Sequence, residues 1–180
     1  MKFSQRIGII PSKTIQIKSM NSDLHCSLWN AFKFFFLDVL KQNYFSDIRY
    51  KSFFETIDIN FLKLPLIDDS NNTFEYKSKE IEETFLGVWE WYEVYDFIEY
   101  ITQEDFFKGL FNIDGFQEYC NHLFERELSG YRFVVNQIVP ITDETELNEI
   151  EEAISNAKNN KFKGVRIHLE TALKYLLDKE

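Results

Sequence analysis

The stretch Gly130-Tyr131-Arg132-Phe133-Val134-Val135-Asn136-Gln137-Ile138-Val139-Pro140-Ile141 decides the fold, because there the hydrophobic period changes. Tyr131 to Val135 is aromatic and β-branched, and Ile138 to Ile141 is a second run of the same kind. Two such runs around Asn136-Gln137 read as a short β-hairpin. Asn-Gln is a weaker turn than Asn-Gly, so the register stays open. Pro140 suits a strand end or an edge, where its missing N–H removes no ladder bond. Gly130 stands where the preceding helix would stop in the left-handed conformation.

Outward from this hairpin the pattern is helical. Towards the N-terminus, Phe116, Tyr119, Cys120, Leu123 and Phe124 mark a helix over about Asp114 to Leu128. Before it, Trp91, Val94, Tyr95, Ile98 and Ile101 mark another, and Ile81, Phe85 and Leu86 one more, ending near Gly87. These two are either one helix kinked at Gly87 or two joined by a tight turn. Ile48, Phe53, Phe54, Ile57 and Phe61 give a segment closed by Pro65 and the polar run 68–72. Asn21, Ser22 and Asp23 offer an N-cap for Leu24, Leu28, Phe32, Phe35, Phe36, Val39 and Leu40, a helix reaching about Tyr44. Past the hairpin, Asp143 with Glu146 signals a cap before Leu147, Ile150 and Ile154. A last helix starts near Lys163 and carries Val165, Leu169, Ala172, Leu173 and Leu176. The expected fold is therefore mainly α, with about six to seven helices and one short β-hairpin near 131–141, in a single domain. Only 6 Gly and 3 Pro in 180 residues agree with long helices.

Charge narrows the function classes. The net charge is −10, and residues 75–105 hold Glu75, Glu80, Glu82, Glu83, Glu90, Glu93, Asp96, Glu99, Glu104 and Asp105 against Lys77 and Lys79. Broad nucleic-acid binding needs clustered Lys and Arg, so direct nucleic-acid binding is not expected. Basic residues gather at 1–20 (Lys2, Arg6, Lys13, Lys18) and at 156–168. Solvated helix faces account for this segregation, and a basic N-terminal arm lying against an acidic helix is the sharper alternative. No apolar run approaches the ~20 residues of a membrane span, and no signal peptide is legible. The expected location is cytoplasmic, with no membrane partner. Cys26 and Cys120 are expected as small buried groups, not a disulfide.

The search for chemistry is mostly negative. Glu90, Glu93, Asp96 and Glu99 recur every three residues, so each falls about 60° behind the last and the row fans out instead of converging. His25, His122 and His168 show no ligand spacing, and no Cys-x-x-Cys, Gly-x-Ser-x-Gly or phosphate loop occurs. No catalytic residue, metal ligand or cofactor is assigned. Among 19 Phe, 9 Tyr and 3 Trp, the groups Phe34-Phe35-Phe36, Phe53-Phe54 and Phe106-Phe107 read as core, because they sit at helical spacings beside aliphatic residues, and not as a base-stacking platform, since the aromatic-rich stretch 85–107 is acidic. Trp89 and Trp91 would point about 200° apart on one helix, so one of them is expected to face a partner or a second layer.

The order of local strings carries a resemblance. It runs from Phe3-Ser4-Gln5-Arg6-Ile7-Gly8 through Pro11, Ile15-Gln16-Ile17 and Leu28-Trp29-Asn30 to Trp91-Tyr92-Glu93-Val94-Tyr95-Asp96-Phe97-Ile98. It continues with Leu128-Ser129-Gly130-Tyr131-Arg132-Phe133-Val134, Ile138-Val139-Pro140-Ile141-Thr142-Asp143 and His168-Leu169. The series resembles the AbiJ N-terminal domain, fourth type, of bacterial abortive-infection proteins, over nearly the whole chain and least in the middle, from about Gln42 to Lys79. The resemblance implies a role in phage defence, as a front module before a HEPN-like C-terminal effector domain that lies outside these 180 residues. It implies no catalytic residue. The expected function is a non-catalytic sensor, regulatory or protein-interaction module. Its partners would be a C-terminal effector domain, a second copy, or a phage or host protein. Alternatives are a nuclease or small-ligand hydrolase with carboxylates converging from several helices, and a helical adaptor. The candidate interaction residues are Arg6, Trp91, Glu93, Asp96, Tyr131 and Arg132, with the Arg132 fork expected to pair with Glu93 or Asp96.

Overall fold

The computed structural model describes residues 15–42, 47–65 and 73–141, with the side chains of 47–49 outside that description. Arg6, the helices expected after the hairpin and the polar run 68–72 lie outside the described residues.

Helix α1 (Ser22–Phe32) runs through a π-helical turn (Lys33–Leu37) into α2 (Asp38–Gln42). Asn21 is the cap, its side chain accepting from the Leu24 amide at 2.8 Å. Three consecutive phenylalanines cannot all face one core, because adjacent residues point roughly 100° apart. Phe36 is fully buried, Phe35 is half-buried and Phe34 is 64% exposed, so the expectation that all three are core fails at Phe34. Helix α3 (Asp47–Thr56) likewise ends in a π turn (Ile57–Phe61).

Helices α4 (Phe74–Gly87) and α5 (Trp91–Gln103) are separate. Their junction is Val88-Trp89-Glu90, and the Glu90 amide donates to the Glu93 carboxylate at 2.8 Å. That bond starts α5 and leaves Trp89 outside both helices, so the two tryptophans never share a helix face. Trp89 packs on Phe61, Phe85 and Phe97, whereas Trp91 packs on Tyr92, Tyr95 and Tyr131. A short α6 (Asp105–Lys108) and then α7 (Ile113–Arg126), capped by Asn112, follow.

The aromatic residues are the core. Phe97 is fully buried, with ring centroids 4.9 Å from Trp89, 5.0 Å from Phe32, 5.2 Å from Phe61 and 6.0 Å from Phe85. A second group joins Phe36, Phe53, Phe107, Phe111 and Phe116. Each such pair adds roughly 0.5–1.5 kcal/mol beyond its area burial. Cys120 is buried, but Cys26 is exposed, contrary to expectation, and both are free thiols.

Strands β1 (Tyr131–Val134) and β2 (Gln137–Pro140) form the expected antiparallel hairpin, pairing Tyr131 with Pro140, Arg132 with Val139, Phe133 with Ile138 and Val134 with Gln137. The turn is Val135-Asn136, one residue earlier than Asn136-Gln137. Val135 takes φ 58°, a left-handed conformation that costs a β-branched residue energy. This register pairs Val134 with Gln137 and faces the amide and carbonyl of Phe133 outward. Pro140, whose missing N–H would also face outward, loses no ladder bond.

Side chains from two helices close both edges of the hairpin. On the β1 side, Asn121 of α7 accepts from the Phe133 amide at 2.7 Å and donates to its carbonyl at 3.0 Å. On the β2 side, Glu99 of α5 accepts from the Ile138 amide. Gln103 and Gln117 donate to the main-chain and side-chain oxygens of Asn136, each at 3.0 Å. A two-stranded sheet is marginal by itself, and these side chains stand in for missing strands. Among the described residues the fold is one domain of six continuous helical runs and this hairpin, and no helix there is long and apolar enough to cross a membrane.

Candidate functional site

The end of α7 builds a junction. Leu128 takes the left-handed conformation (φ 55°), its amide donating to Glu125 O at 3.1 Å and the Ser129 amide donating to Phe124 O at 2.8 Å. This pair of bonds is the Schellman stop. Leu128, not Gly130, is therefore the residue that ends the helix. Gly130 has a different task. Its amide donates to Gln16 O and its carbonyl accepts from the Ile141 amide, both at 2.8 Å. A Cβ at Gly130 would lie 3.1 Å from Ile17 Cγ1 and 3.2 Å from Gln16 O, so a larger residue would push the incoming segment back by a few tenths of an ångström.

Gln16 is the buried polar anchor of that segment, 7% exposed between two exposed isoleucines. Its amide donates to Leu128 O at 2.8 Å, and its side chain donates to Glu127 O at 2.6 Å while accepting from the Asn21 amide. The hydroxyl of Tyr131 donates to Ile17 O at 2.6 Å. Tyr131 also lies 5.0 Å from Tyr95 and 6.2 Å from Trp91, ring centroid to centroid. Tyr95 shares a 2.8 Å hydrogen bond with the Ser129 hydroxyl. Burial pushes the Tyr95 phenol up to about 12, against the lowering effects of the Ser129 bond and the Arg132 charge. Burial also raises Tyr131. Both phenols are neutral at physiological pH, so they hold and pack here and do not serve as bases.

Of the candidate residues, Trp91 and Tyr131 meet in one aromatic seam, with Arg132 beside it. The Arg132 guanidinium donates to the carbonyls of Tyr131 (2.8 Å) and Ser129 (3.2 Å). The expected fork onto Glu93 or Asp96 is not how those carboxylates are used. Glu93 caps α5. Asp96 is exposed by area, yet partial desolvation and then the charge of Glu93 raise its carboxyl, with no ion pair to it among the described residues. Glu99 points to the hairpin, its carboxyl raised mainly by burial although the Ile138 amide and Gln103 lower it. The row of carboxylates thus divides into a cap, a solvated group and a hairpin clamp. Among the described residues no group of three or more His, Cys, Asp or Glu could hold a metal ion.

Sequence reasoning missed Gln16, Ser129 and Asn121. The alternation Ile15-Gln16-Ile17 was the available signal, but it suggests isoleucines facing inward, and the structure turns the glutamine inward instead. Neither a curated protein nor a solved structure matches the chain. The model of AbiJ N-terminal domain 4 matches residues 1–156, which include the whole junction, the seam and the hairpin, and the chain belongs to that family.

Proposed function

We propose that this chain is a non-catalytic regulatory or protein-interaction module of an abortive-infection protein, passing a binding event at one end of the chain to the other. Membership of an AbiJ family ties it to abortive-infection defence. The observation that carries the reading is the Gly130 junction. One residue binds both the incoming segment, through Gln16, and the outgoing one, through Ile141. In this reading a shift of Gly130 that releases one segment also loosens the other, which is what coupling between two sites requires. The partner in this reading is an adjoining effector domain, a second copy, or a phage or host protein. The non-catalytic part is supported by the division of the α5 carboxylates among a cap, solvent and the hairpin.

The test is phage plating on bacteria expressing the native gene or its Gly130→Val and Gln16→Met variants, with hydrogen exchange on the purified chains. The reading expects altered protection from phage, together with faster exchange at position 16 and at Ile141 in both variants. Exchange that quickens at one segment alone breaks the coupling. Turnover of RNA, DNA or nucleotides by the purified chain with Mg²⁺ or Mn²⁺ overturns the non-catalytic part.

A further inference from the structure

The outward face of α5 is open to solvent. Tyr92 is 50% exposed, and Val88, just before the helix, is 72% exposed. Asp96 lies one turn beyond Tyr92, so ring and carboxylate share a face, with Glu90 and Glu93 at its N-terminal end. The two bases nearby in sequence are already engaged: Lys77 with Asp58 and Glu80 at 2.9 and 2.8 Å, and Lys79 with Glu83 at 3.5 Å. Glu93 and Asp96 repel one another along this face, and neither is ion-paired among the described residues.

We propose that this face docks an arginine-bearing segment of a partner protein, the guanidinium lying on the Tyr92 ring beside Asp96 with Val88 covering the aliphatic stem. Charge complementarity chooses the occupant, since an acidic peptide or a nucleic acid is repelled by the same carboxylates. Arginine suits the face better than lysine, because its planar, weakly hydrated group stacks on aromatic rings as well as pairing with carboxylates. The proposal rests on the interaction-module reading above and names the chemistry of its partner.

The test is an amide-resolved NMR titration of the full chain with a ten-residue arginine-rich peptide and its lysine and glutamate counterparts. The expected result is shifts confined to 88–96, arginine binding more tightly than lysine, no binding of the glutamate peptide, and weakening by added salt. Tyr92→Ala weakens binding about three- to tenfold and Asp96→Lys about tenfold, while Tyr92→Leu keeps the fold without the ring. Glu118→Lys, an equal charge change on the exposed face of α7, costs less than about twofold if docking is local. Equal weakening by Glu118→Lys, shifts spread elsewhere, or no binding by the wild type overturns the proposal. The module reading is judged separately. If the arginine peptide does not bind but Gly130→Val still alters protection from phage, the cationic occupant is wrong and the module reading stands.

Discussion

Replacing Asn121 with alanine removes a side chain that makes two hydrogen bonds to one buried residue. The Phe133 amide and carbonyl, at 2.7 and 3.0 Å, both lose their partner. A bond of this kind contributes about 1 kcal/mol net, and a main-chain group left unpaired in the interior costs ~1–3 kcal/mol instead. Asn121 is half-buried, so water entering the vacated space recovers part of that cost. The expected loss is about 2–3 kcal/mol, or roughly 5–10 °C in Tm for a chain of this size. Urea unfolding followed by tryptophan fluorescence measures it, and hydrogen exchange at Phe133 locates it. Asn121→Asp is the sharper variant. At neutral pH it keeps the acceptor but sets a carboxylate against the Phe133 carbonyl, so it is destabilised about as much as the alanine. Protonated in acid, the same carboxyl can donate to that carbonyl, and the aspartate variant should then gain on the alanine variant. A loss below ~0.5 kcal/mol for Asn121→Ala, or aspartate and alanine variants that keep the same gap at every pH, would refute the view that this side chain stands in for a third strand.

Other outcomes follow from single features. Val135→Gly relieves the left-handed strain at φ 58°, typically ~1–3 kcal/mol, against ~0.5–1 kcal/mol of added backbone freedom, so Tm rises; an unchanged or lower Tm counts against the strain. Burial raises the folded carboxyl of Glu99 above its ordinary 4.5, so folding stability from this group is fully present below that pH and is lost as pH rises through the raised value. Glu99→Gln should flatten stability against pH across that window, and an unaltered profile would contradict it. Ellman's reagent should react quickly with the exposed Cys26 and with Cys120, whose thiol burial pushes well up, only on unfolding; two fast thiols would mean that α7 opens. Gln16→Met keeps the volume but drops both side-chain bonds, costing about 1–3 kcal/mol by urea unfolding, and a neutral result would remove Gln16 as the anchor.

The helices were legible because their apolar residues recur every three or four positions, and that pattern survives whatever packs against it. Leu24 to Leu40 and Val94 to Ile101 fall into the core as their spacing requires. The hairpin was legible from its change of period, but its turn was not. Asn136-Gln137 has better turn chemistry than Val135-Asn136, and the bonds of Asn121, Glu99, Gln103 and Gln117 hold the strained alternative in place. Gly130 was legible as a special glycine but for another reason. Leu128 ends the helix, and the glycine leaves room for the close approach of Gln16 and Ile17. At the candidate site, Trp91 and Tyr131 stood out as aromatics and do meet. Glu93 looked like a surface charge and is a helix cap.

The sequence alone determined what depends on neighbours along the chain: the helical periods, the single change to β spacing, the acidic balance and the ordered strings that mark the AbiJ family. Only the tertiary structure decided which polar side chains face inward. Gln16, Asn121, Glu99 and Ser129 have no distinguishing neighbours in sequence. Their roles come from main-chain groups up to 111 positions away that burial would otherwise leave without partners. A buried amide or carbonyl must be paired, and the nearest side chain able to pair it is fixed by packing, not by local order.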